Sequence, residues 1–338
     1  MKAIILASPG DPTALQLQEI AKPLPRSGWV LIKVKAFGLN RSEMFTRQGH
    51  SPNVQLPRVL GIECVGIVEA APDTPFQPGQ KVAAIMGGMG RAFDGSYAEY
   101  TLVPQTCIFL IESNLDWSVL GAIPEMFQTA YGSLVSGLNV QAGQTLLIRG
   151  GTSSVGMTAT SLAKQMGLTV IATTRNPLKS EALRANGVDQ VVIDDGAIAT
   201  TIRQRFPNGV DRVLELVGTT TLLDSLQCVT PSGIICMTGI LGNAWALNNF
   251  SPMDDIPHTV RLTVYTGGSE DLSVEYLQKF IAGVEAGQTH VNIDRVFRLN
   301  EIVEAHHYME SNRATGKLVV LVNEGTGSIM DLQTPALN

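Results

Sequence analysis

The stretch from Leu146 to Lys179 constrains the fold of this 338-residue chain more than any other. It begins with a short apolar run and continues through a turn of small residues, Gly150 to Gly156. Apolar residues then recur at helical spacing as far as Gly167, and a second apolar run, Thr169 to Ala172, follows. This order of strand, tight turn, helix and strand predicts one βαβ unit of about 30 residues.

The turn that starts at Gly150 has the properties of an anion site. Small residues let backbone N–H groups approach an anion, and the helix N-terminus adds about half a positive charge, so a pyrophosphate fits there. The spacing departs from G-x-G-x-x-G, because Ser153 stands where a middle glycine is common. An ordinary βα turn without a ligand remains the alternative, and the serine hydroxyls either donate to the pyrophosphate or bond to the turn itself. The predicted dinucleotide contacts are Gly151, Thr152, Ser153, Ser154, Val155 and Gly156.

The character of the chain changes near Asp116. Before it, short apolar or alternating runs are separated by Gly, Pro and Asp, which predicts an irregular antiparallel domain. After it, strands alternate with helices, which specifies a parallel, doubly wound sheet. The fold class is therefore α/β. We place a β-rich domain at 1–118 and 269–338 and a nucleotide-binding domain at 119–268, with a loosely ordered tail at 324–338.

Composition excludes several classes of protein. The chain is 44% hydrophobic and 16% charged, which is typical of a folded globular protein. A net charge of -6 and the lack of a basic run argue against nucleic-acid binding. The first apolar run ends before Pro9, too short for a signal peptide, and no apolar stretch approaches transmembrane length. Four scattered cysteines without C-x-x-C indicate a reduced, cytoplasmic protein.

Six short motifs in a fixed order resemble the medium-chain dehydrogenases/reductases, and among them the zinc-independent quinone oxidoreductases, the group that includes zeta-crystallin. The resemblance runs nearly end to end and implies a GroES-like catalytic domain and a Rossmann domain that binds NADP(H). The segments that carry it are Gly38 to Glu43, Arg47 to Gly49, Pro57 to Gly66, Gly95 to Pro104, Gln128 to Tyr131 and Asn312 to Leu318.

The resemblance also bears on zinc. The zinc-dependent sister branch takes its catalytic metal from a Cys, a His and a later Cys, and the matching positions here hold Asn40, Ile62 and Glu125. Of the four closely spaced cysteines of a structural zinc lobe, only Cys107 is present. We therefore predict no metal site. Glu125 is either a buried acid that faces substrate or a cap of the helix that follows Pro124.

Without a metal, the resemblance implies direct hydride transfer to an electrophile. Asn40 is the candidate that orients a substrate carbonyl through its amide, the alternative being an asparagine that caps a turn. Thr129 is, by resemblance, a hydroxyl near the nicotinamide, or else a helical threonine that bonds its own backbone. Phe45 stands where many members carry a tyrosine, so it can wall the cofactor pocket but supplies no phenol.

The end of the second Rossmann strand indicates the cofactor. NAD enzymes place an acidic residue there, whereas here the strand ends in Thr173 and Thr174, which can donate to a phosphate, followed by Arg175. Lys179 matches the family's 2′-phosphate lysine, although two exposed cations at a helix start have the same appearance. Asp194 or Asp195 falls where a carboxylate would repel the phosphate. We still predict NADP(H).

Further cofactor contacts are expected where strands end, since the carboxyl ends of parallel strands line the crevice of an open sheet. The glycines among them are also compatible with ordinary turns. The adjacent His306 and His307 point apart on one helix, so we expect surface or packing residues, and we expect Cys64 and Cys107 to be buried. The predicted contacts are Val217, Gly218, Thr238, Gly239, Tyr265, Thr266 and, by resemblance, Asn312 and Lys317.

The leading hypothesis is an NADPH-dependent, zinc-independent reductase of quinones or α,β-unsaturated carbonyls. An enoyl-thioester reductase and a nucleotide-binding structural or regulatory protein without catalysis are the alternatives. The resemblance implies a homodimer, since family members pair through an edge strand of the nucleotide-binding sheet. A small-molecule quinone or enone is the expected partner, with no nucleic acid and no membrane.

Overall fold

The structure, a computed structural model, describes residues 1–322, so the predicted tail at 324–338 lies outside the described residues. The N-terminal part is built from strands, as expected, with one short helix. Its elements are β1 (Lys2–Leu6), β2 (Leu15–Glu19), β3 (Trp29–Gly38), α1 (Arg41–Arg47), β4 (Arg58–Val59), β5 (Glu63–Ala70), β6 (Lys81–Ile85), β7 (Tyr100–Pro104) and β8 (Ile108–Leu110).

The central part alternates helices and strands. After two helices, each strand is followed by a helix up to the last strand. These elements are α2 (Trp117–Leu120), α3 (Ile123–Gly132), β9 (Thr145–Arg149), α4 (Ser154–Gln165), β10 (Thr169–Thr174), α5 (Ser180–Ala185), β11 (Gln190–Ile193), α6 (Ala199–Arg205), β12 (Val210–Glu215), α7 (Thr219–Leu226), β13 (Val229–Met237), α8 (Pro252–Asp255) and β14 (Arg261–Val264).

The six strands β9 to β14 form one parallel sheet in the order β11-β10-β9-β12-β13-β14. This is the doubly wound order. Strands β10 and β11 are added on one side of β9, and the chain then crosses over and adds β12 to β14 on its other side, so the order switches between β9 and β12. Leu146, Leu147 and Ile148 in β9 are completely buried, because helices cover both faces of the sheet. Burying each such side chain contributes about 1.5–3 kcal/mol. The crevice expected for a ligand lies at the carboxyl ends of β9 and β12.

The chain then returns to the N-terminal part through α9 (Val274–Glu285), β15 (Ile293–Arg298), α10 (Ile302–Glu310) and β16 (Lys317–Leu321). Strand β16 pairs with β3 in a sheet of order β15-β16-β3-β5-β6-β8, and β7 also pairs with β3. A smaller sheet has the order β2-β1-β4. Lys317, at the start of β16, is thereby brought beside α1 and β5, almost the whole length of the chain away.

One predicted helix ends early. The sequence favours a helix over Phe127 to Leu138, whereas α3 ends at Gly132 and a wider helical turn covers Ser133–Gly137. Tyr265 packs directly on this point: a Cβ on Gly132 would lie 2.0 Å from its ring and hydroxyl. Tertiary packing therefore sets this boundary.

Sequence patterns did not predict β2, α1, β4, β8 and β15, which are short or lie between turn residues.

Candidate active site

The turn between β9 and α4 is held by its own serine. Ser153 is the N-cap of α4: its hydroxyl accepts a hydrogen bond from Gly156 N at 3.1 Å and donates one to Gly150 O at 2.9 Å. Of the two roles expected for this hydroxyl, the structure shows bonding within the turn. The backbone N–H group of Val155 makes no hydrogen bond to any described residue, so it remains for an anion at the positive end of α4, whereas that of Ser154 lies in the parallel bridge between Ser153 and Gly316.

Two glycines of this turn are required by close approach of other atoms. A Cβ on Gly156 would lie 2.6 Å from Gly150 O, and a Cβ on Gly151 would lie 2.8 Å from Ala172 Cβ. Both distances are shorter than side chains tolerate, so the first turn of α4 packs against β9 and β10 only because these positions are glycine. Thr152 continues the turn, and its carbonyl accepts a hydrogen bond from Gly316 N at 3.1 Å.

The two threonines that end β10 face inward. Thr173 Oγ1 accepts a hydrogen bond from Gly150 N at 3.1 Å and donates one to Asp194 Oδ2 at 3.2 Å. Thr174 Oγ1 bonds to the backbone of Asn176. Both side chains are buried. Both hydroxyls support the turn. Neither is free at the surface to make the phosphate contact that the sequence predicts.

A buried arginine beneath the turn was not identified from the sequence. Arg149 Nε and Nη2 donate to the two carboxylate oxygens of Asp194, each at 2.9 Å, and Arg149 Nη1 donates to Asp224 Oδ2 at 2.7 Å and Ser225 Oγ at 3.0 Å. Burial raises the pKa of Asp194, but the hydrogen bonds and charge of Arg149 outweigh burial and hold it below the usual range. Asp194 is thus a neutralised partner of Arg149, and the exposed Asp195 accepts a hydrogen bond from Ala197 N.

Three cations lie near the end of β10. Arg175 is exposed and makes no side-chain hydrogen bond or ion pair within residues 1–322. Lys179 Nζ donates to the carbonyls of Arg313 and Ala314, each at 2.7 Å. The third cation, Arg41, was missed in the sequence although it follows Asn40 directly. Burial and then the positive charge of Arg175 lower the pKa of Arg41, which shows that the two guanidiniums are close enough to repel each other.

Arg41 connects α1 to loops on the far side of the crevice. Its guanidinium donates to Asn243 Oδ1 at 3.1 Å and to Asn312 Oδ1. Asn312 has a φ of 55°, a left-handed conformation that asparagine tolerates. The predicted cofactor contact Asn312 therefore lies at the rim of the crevice, beside Arg41.

The carboxyl ends of β12 and β13 meet above a second buried acid. Glu215 Oε1 accepts hydrogen bonds from Val217 N at 2.7 Å and Gly218 N at 2.9 Å, which turns the chain sharply after β12. After β13, a Cβ on Gly239 would lie 2.3 Å from Leu216 O. Packing between the two strand ends thus requires glycine at Gly218 and Gly239. This requirement is consistent with turn chemistry as well as with a nearby ligand.

Thr238, Tyr265 and Thr266 bring the last strands to α3. Thr238 Oγ1 lies 2.8 Å from the hydroxyl of Ser133, which follows α3. The buried hydroxyl of Tyr265 accepts a hydrogen bond from Gln128 Nε2 at 2.9 Å, and burial raises the pKa of Tyr265 to about 12. Thr266 is exposed directly after it. Tyr265 therefore fastens β14 to α3, and Thr266 is the residue of the pair that a ligand can reach.

Asn40 and Lys317 belong to a buried polar network. Lys317 Nζ donates to Asn40 Oδ1 at 2.6 Å and lies 2.8 Å from Glu63 Oε1. Asn40 Nδ2 donates to Glu63 Oε1 at 3.0 Å and to Glu43 Oε1 at 3.3 Å. Asn40 also starts α1, where its backbone N donates to Glu43 Oε2. The amide hydrogens of Asn40 thus point at two carboxylates, and the ammonium of Lys317 points away from the surface.

Glu125 and Thr129 connect this network to the crevice. Lys317 Nζ donates to Glu125 Oε2 at 3.3 Å, and the hydroxyl of Thr129 donates to Glu125 Oε1 at 2.9 Å, one helical turn away on α3. The side chain of Glu125 is 13% exposed, whereas those of Lys317 and Glu63 are completely buried. Glu125 lies in the first turn of α3 but makes no capping hydrogen bond there, so it does not cap the helix. Its carboxylate accepts from Thr129 and Lys317 instead. Thr129 bonds to a side chain rather than to its own backbone.

Phe45 lies in the wall of the same crevice. It is buried on α1, and its ring meets that of Trp245 edge to face at a centroid distance of 4.9 Å. Trp245 belongs to the loop after β13 and is 54% exposed. This contact gives the crevice an aromatic wall in place of the phenol that Phe45 lacks.

The remaining candidates are structural. His306 is completely buried beside Tyr97, whose hydroxyl lies 3.1 Å from His306 Nε2, whereas His307 is exposed. Cys64 and Cys107 are buried, as expected. Among residues 1–322, no helix is long and apolar enough to cross a membrane.

Comparison with known proteins points to one family. A model of the alcohol dehydrogenase GroES-like domain matches residues 26–113, and a model described as a zinc-binding dehydrogenase matches residues 186–320. The human quinone oxidoreductase is 27% identical over 329 residues, covering 95% of this chain and 98% of the relative. The chain is similar to the medium-chain dehydrogenases/reductases over most of its length. Its relatives named quinone oxidoreductase make it an oxidoreductase, and its GroES-like and Rossmann parts agree with the fold predicted from the sequence.

Two solved structures of the family differ in their cofactors. A mycobacterial protein in complex with NADPH is 25% identical, with a TM-score of 0.84, covering 95% of this chain and 99% of that chain. An NAD-dependent alcohol dehydrogenase is also 25% identical, with a TM-score of 0.85, covering 96% of this chain and 100% of that chain. A nicotinamide cofactor is common to both proteins. The choice between its two forms must come from the residues of this oxidoreductase.

The zinc named by one family model does not fit this site. At the positions where zinc-dependent members place their ligands, the oxidoreductase has Asn40, Ile62 and Glu125, and the ammonium of Lys317 already lies among the available oxygens. A cation supplied by the protein itself occupies the place that the carboxylates could offer to a metal. Within residues 1–322, no group of three or more His, Cys, Asp and Glu side chains is arranged to hold a metal ion.

Proposed function

We propose that this oxidoreductase is an NADPH-dependent, zinc-independent reductase of quinones or α,β-unsaturated carbonyls. The observation that carries the proposal is the group of three cations at the end of β10, namely Arg41, Arg175 and Lys179. Burial and then the positive charge of Arg175 lower the pKa of Arg41, and burial and Arg175, opposed by Asp294, lower that of Lys179; a bound phosphate would relieve this repulsion. The pairing of Asp194 with Arg149 removes the carboxylate that would otherwise repel a 2′-phosphate.

The residues that would hold the cofactor follow from the same geometry. The free N–H group of Val155 at the start of α4 suits the pyrophosphate. The ends of β12 and β13 at Gly218 and Gly239 permit close approach. Phe45 and Thr129 face the region where the nicotinamide would lie. When bound, the reduced nicotinamide supplies a hydride to the acceptor.

The substrate class follows from the lining of the crevice. Phe45 and Trp245 provide flat apolar surfaces, and the hydroxyl of Thr129 is the polar group beside them. A flat electron-poor acceptor with a carbonyl oxygen satisfies both. We assign the carbonyl contact to Thr129 in preference to Asn40, because the buried amide of Asn40 donates to two carboxylates, whereas Thr129 is half-buried and donates a single hydrogen bond, to Glu125. The enoyl-thioester alternative is not favoured by any observation here.

The test is a panel of acceptors. The purified protein is assayed for oxidation of NADPH and of NADH with 1,4-benzoquinone, 9,10-phenanthrenequinone and 2-cyclohexenone, and binding of each nucleotide is followed by tryptophan fluorescence. We expect turnover with NADPH and at least one acceptor. Tight NADPH binding without turnover of any acceptor would favour the non-catalytic alternative, and equal use of NADH would overturn the proposed cofactor preference.

A further inference from the structure

Three carboxylates surround one ammonium beside the crevice. We call Glu43, Glu63, Glu125 and Lys317 the acid cluster. The three hydrogens of the Lys317 ammonium have three acceptors, Asn40 Oδ1 at 2.6 Å, Glu63 Oε1 at 2.8 Å and Glu125 Oε2 at 3.3 Å. Asn40 also bridges Glu43 and Glu63 through its amide. A purely structural ion pair would need one carboxylate, whereas this ammonium contacts two, and Asn40 joins a third to them.

The charges of the acid cluster balance only when it retains two protons. Three ionised carboxylates and one ammonium would leave two uncompensated negative charges in a buried site, which is costly. Burial, opposed by hydrogen bonds from backbone N–H groups, raises the pKa of Glu43 to about 7. Burial also raises the pKa of Glu63, against the lowering effect of Lys317. Tyr97 and Cys64 pack nearby, and because burial raises the pKa of both, they stay neutral.

The acid cluster has an exit toward the crevice. Glu125 is its partly exposed member, and Glu125 Oε1 accepts the hydrogen bond from the Thr129 hydroxyl at 2.9 Å. One turn further along, Ser133 Oγ donates to Thr129 O at 2.6 Å and lies 2.8 Å from Thr238 Oγ1 at the carboxyl end of β13. This face of α3 therefore meets the edge of the sheet where ligands bind.

We propose that the acid cluster is a buried proton store that delivers, through Glu125 and the Thr129 hydroxyl, the proton that completes reduction of the acceptor. The proposal rests on the proposed function, since it needs an acceptor whose oxygen becomes negatively charged when hydride is added to its carbon. It also gives Lys317 a different role from the cofactor contact implied by the family resemblance.

The transfer balances atom by atom. Lys317 Nζ first passes a proton to Glu125 Oε2 and regains one from Glu63. The carboxyl of Glu125 then rotates and passes its proton to Thr129 Oγ, and the Thr129 O–H bond breaks as an O–H bond forms on the acceptor oxygen. The acid cluster ends with one proton fewer, and water restores that proton after product leaves. No electron passes through these residues.

Thr129 provides the matched pair of variants. Thr129→Val keeps the shape of the side chain but removes the hydroxyl, whereas Thr129→Ser keeps the hydroxyl. We expect Thr129→Val to lower kcat by about 100-fold, the scale of lost general acid catalysis, and Thr129→Ser to change it by no more than about threefold. NADPH binding, measured by tryptophan fluorescence, should be unchanged in both. An unchanged kcat in Thr129→Val would overturn the proposal.

The pH profile separates a proton store from a structural ion pair. In the wild type, kcat should fall as the pH rises through about 7, because Glu43 then loses its proton and its negative charge makes Glu63 hold the delivered proton more tightly. Glu43→Gln should remove this inflection, and Glu125→Gln should lower kcat at every pH, since an amide cannot pass the proton on. Wild-type kcat that stays constant from pH 6 to pH 9 would contradict the proposal.

A measurement without turnover keeps the two proposals distinguishable. In infrared spectra of the ligand-free protein, a protonated carboxyl band should disappear near pH 7 in the wild type and be missing in Glu43→Gln. Turnover without such a band would overturn the proton store and leave the reductase function intact. If no acceptor is reduced, the reductase function and the delivery step both fail, whatever the band shows.

Discussion

Arg149 holds both carboxylate oxygens of Asp194 at 2.9 Å directly beneath the glycine-rich turn. The side chain of Arg149 is completely buried, and that of Asp194 is 6% exposed. Asp194 also accepts hydrogen bonds from Thr173 Oγ1 and Gly196 N. The carboxylate of Asp194, which the sequence suggests would repel a 2′-phosphate, therefore helps to shape the turn.

Asp194→Asn should destabilise the protein without improving its use of NADPH. Breaking a buried charge pair costs about 3–5 kcal/mol, and we expect the low end because Arg149 keeps Asp224 as a partner. Urea unfolding gives the loss of stability, and nucleotide titrations give the ratio of NADPH to NADH affinity. The control is Asp195→Asn at an exposed position. A higher NADPH preference in Asp194→Asn would show that this carboxylate does act on the phosphate.

Arg175→Ala should weaken NADPH binding far more than NADH binding. A hydrogen bond to a charged group contributes about 1.5–3 kcal/mol, which corresponds to roughly a 10-fold to 100-fold loss of affinity for the phosphorylated cofactor. Tryptophan fluorescence titrations with both nucleotides measure the effect. Arg184→Ala is the matched control, because Arg184 is exposed and pairs with Glu181 on the next helix. Equal losses for the two nucleotides would refute a role for Arg175 at the 2′-phosphate.

Local sequence patterns predicted the elements of the Rossmann part well. They could not predict which side chains pair when the residues are far apart along the chain. The βαβ unit at Leu146 is visible because its turn, helix and strands are contiguous. Lys317 was assigned to the cofactor from its motif, whereas it lies 277 residues from its partner Asn40 in a network that only the sheet pairing of β16 creates. Arg149 was hidden for the same reason, since its acid partners end other strands and helices. Glu43 and Glu63 did stand within recognised motifs, but spacing alone does not show that they converge.

Ser153→Ala should loosen the start of α4. The hydroxyl of Ser153 caps the helix at Gly156 N and also bonds to Gly150 O, so its loss should cost about 1 kcal/mol of stability. Thermal unfolding measures this loss, and Ser153→Thr should restore most of it. The neighbouring Ser154→Ala is the control, because the Ser154 hydroxyl bonds to no described residue. A greater loss of stability in Ser154→Ala than in Ser153→Ala would show that the cap is misassigned.

His306→Gln should make stability less dependent on pH. Burial, and then the positive charges of Arg47 and His307, lower the pKa of His306 from 6.5 to about 3. Below pH 6.5 the unfolded chain takes up a proton that the folded protein excludes, so neutral His306 contributes stability that is lost as the pH falls toward 3. Between pH 7 and pH 4.5 the loss amounts to about 2–3 kcal/mol.

Urea unfolding of the wild type and of His306→Gln at pH 7, 6, 5 and 4.5 measures this dependence. The glutamine can keep a hydrogen bond to the Tyr97 hydroxyl but takes up no proton, so its stability should fall less steeply below pH 6.5 than that of the wild type. His307→Gln, at the exposed neighbouring position, should behave as the wild type does. Parallel stability curves for the wild type and His306→Gln would mean that His306 is protonated in the folded protein, with a charge that Tyr97 and the nearby Arg47 could not balance.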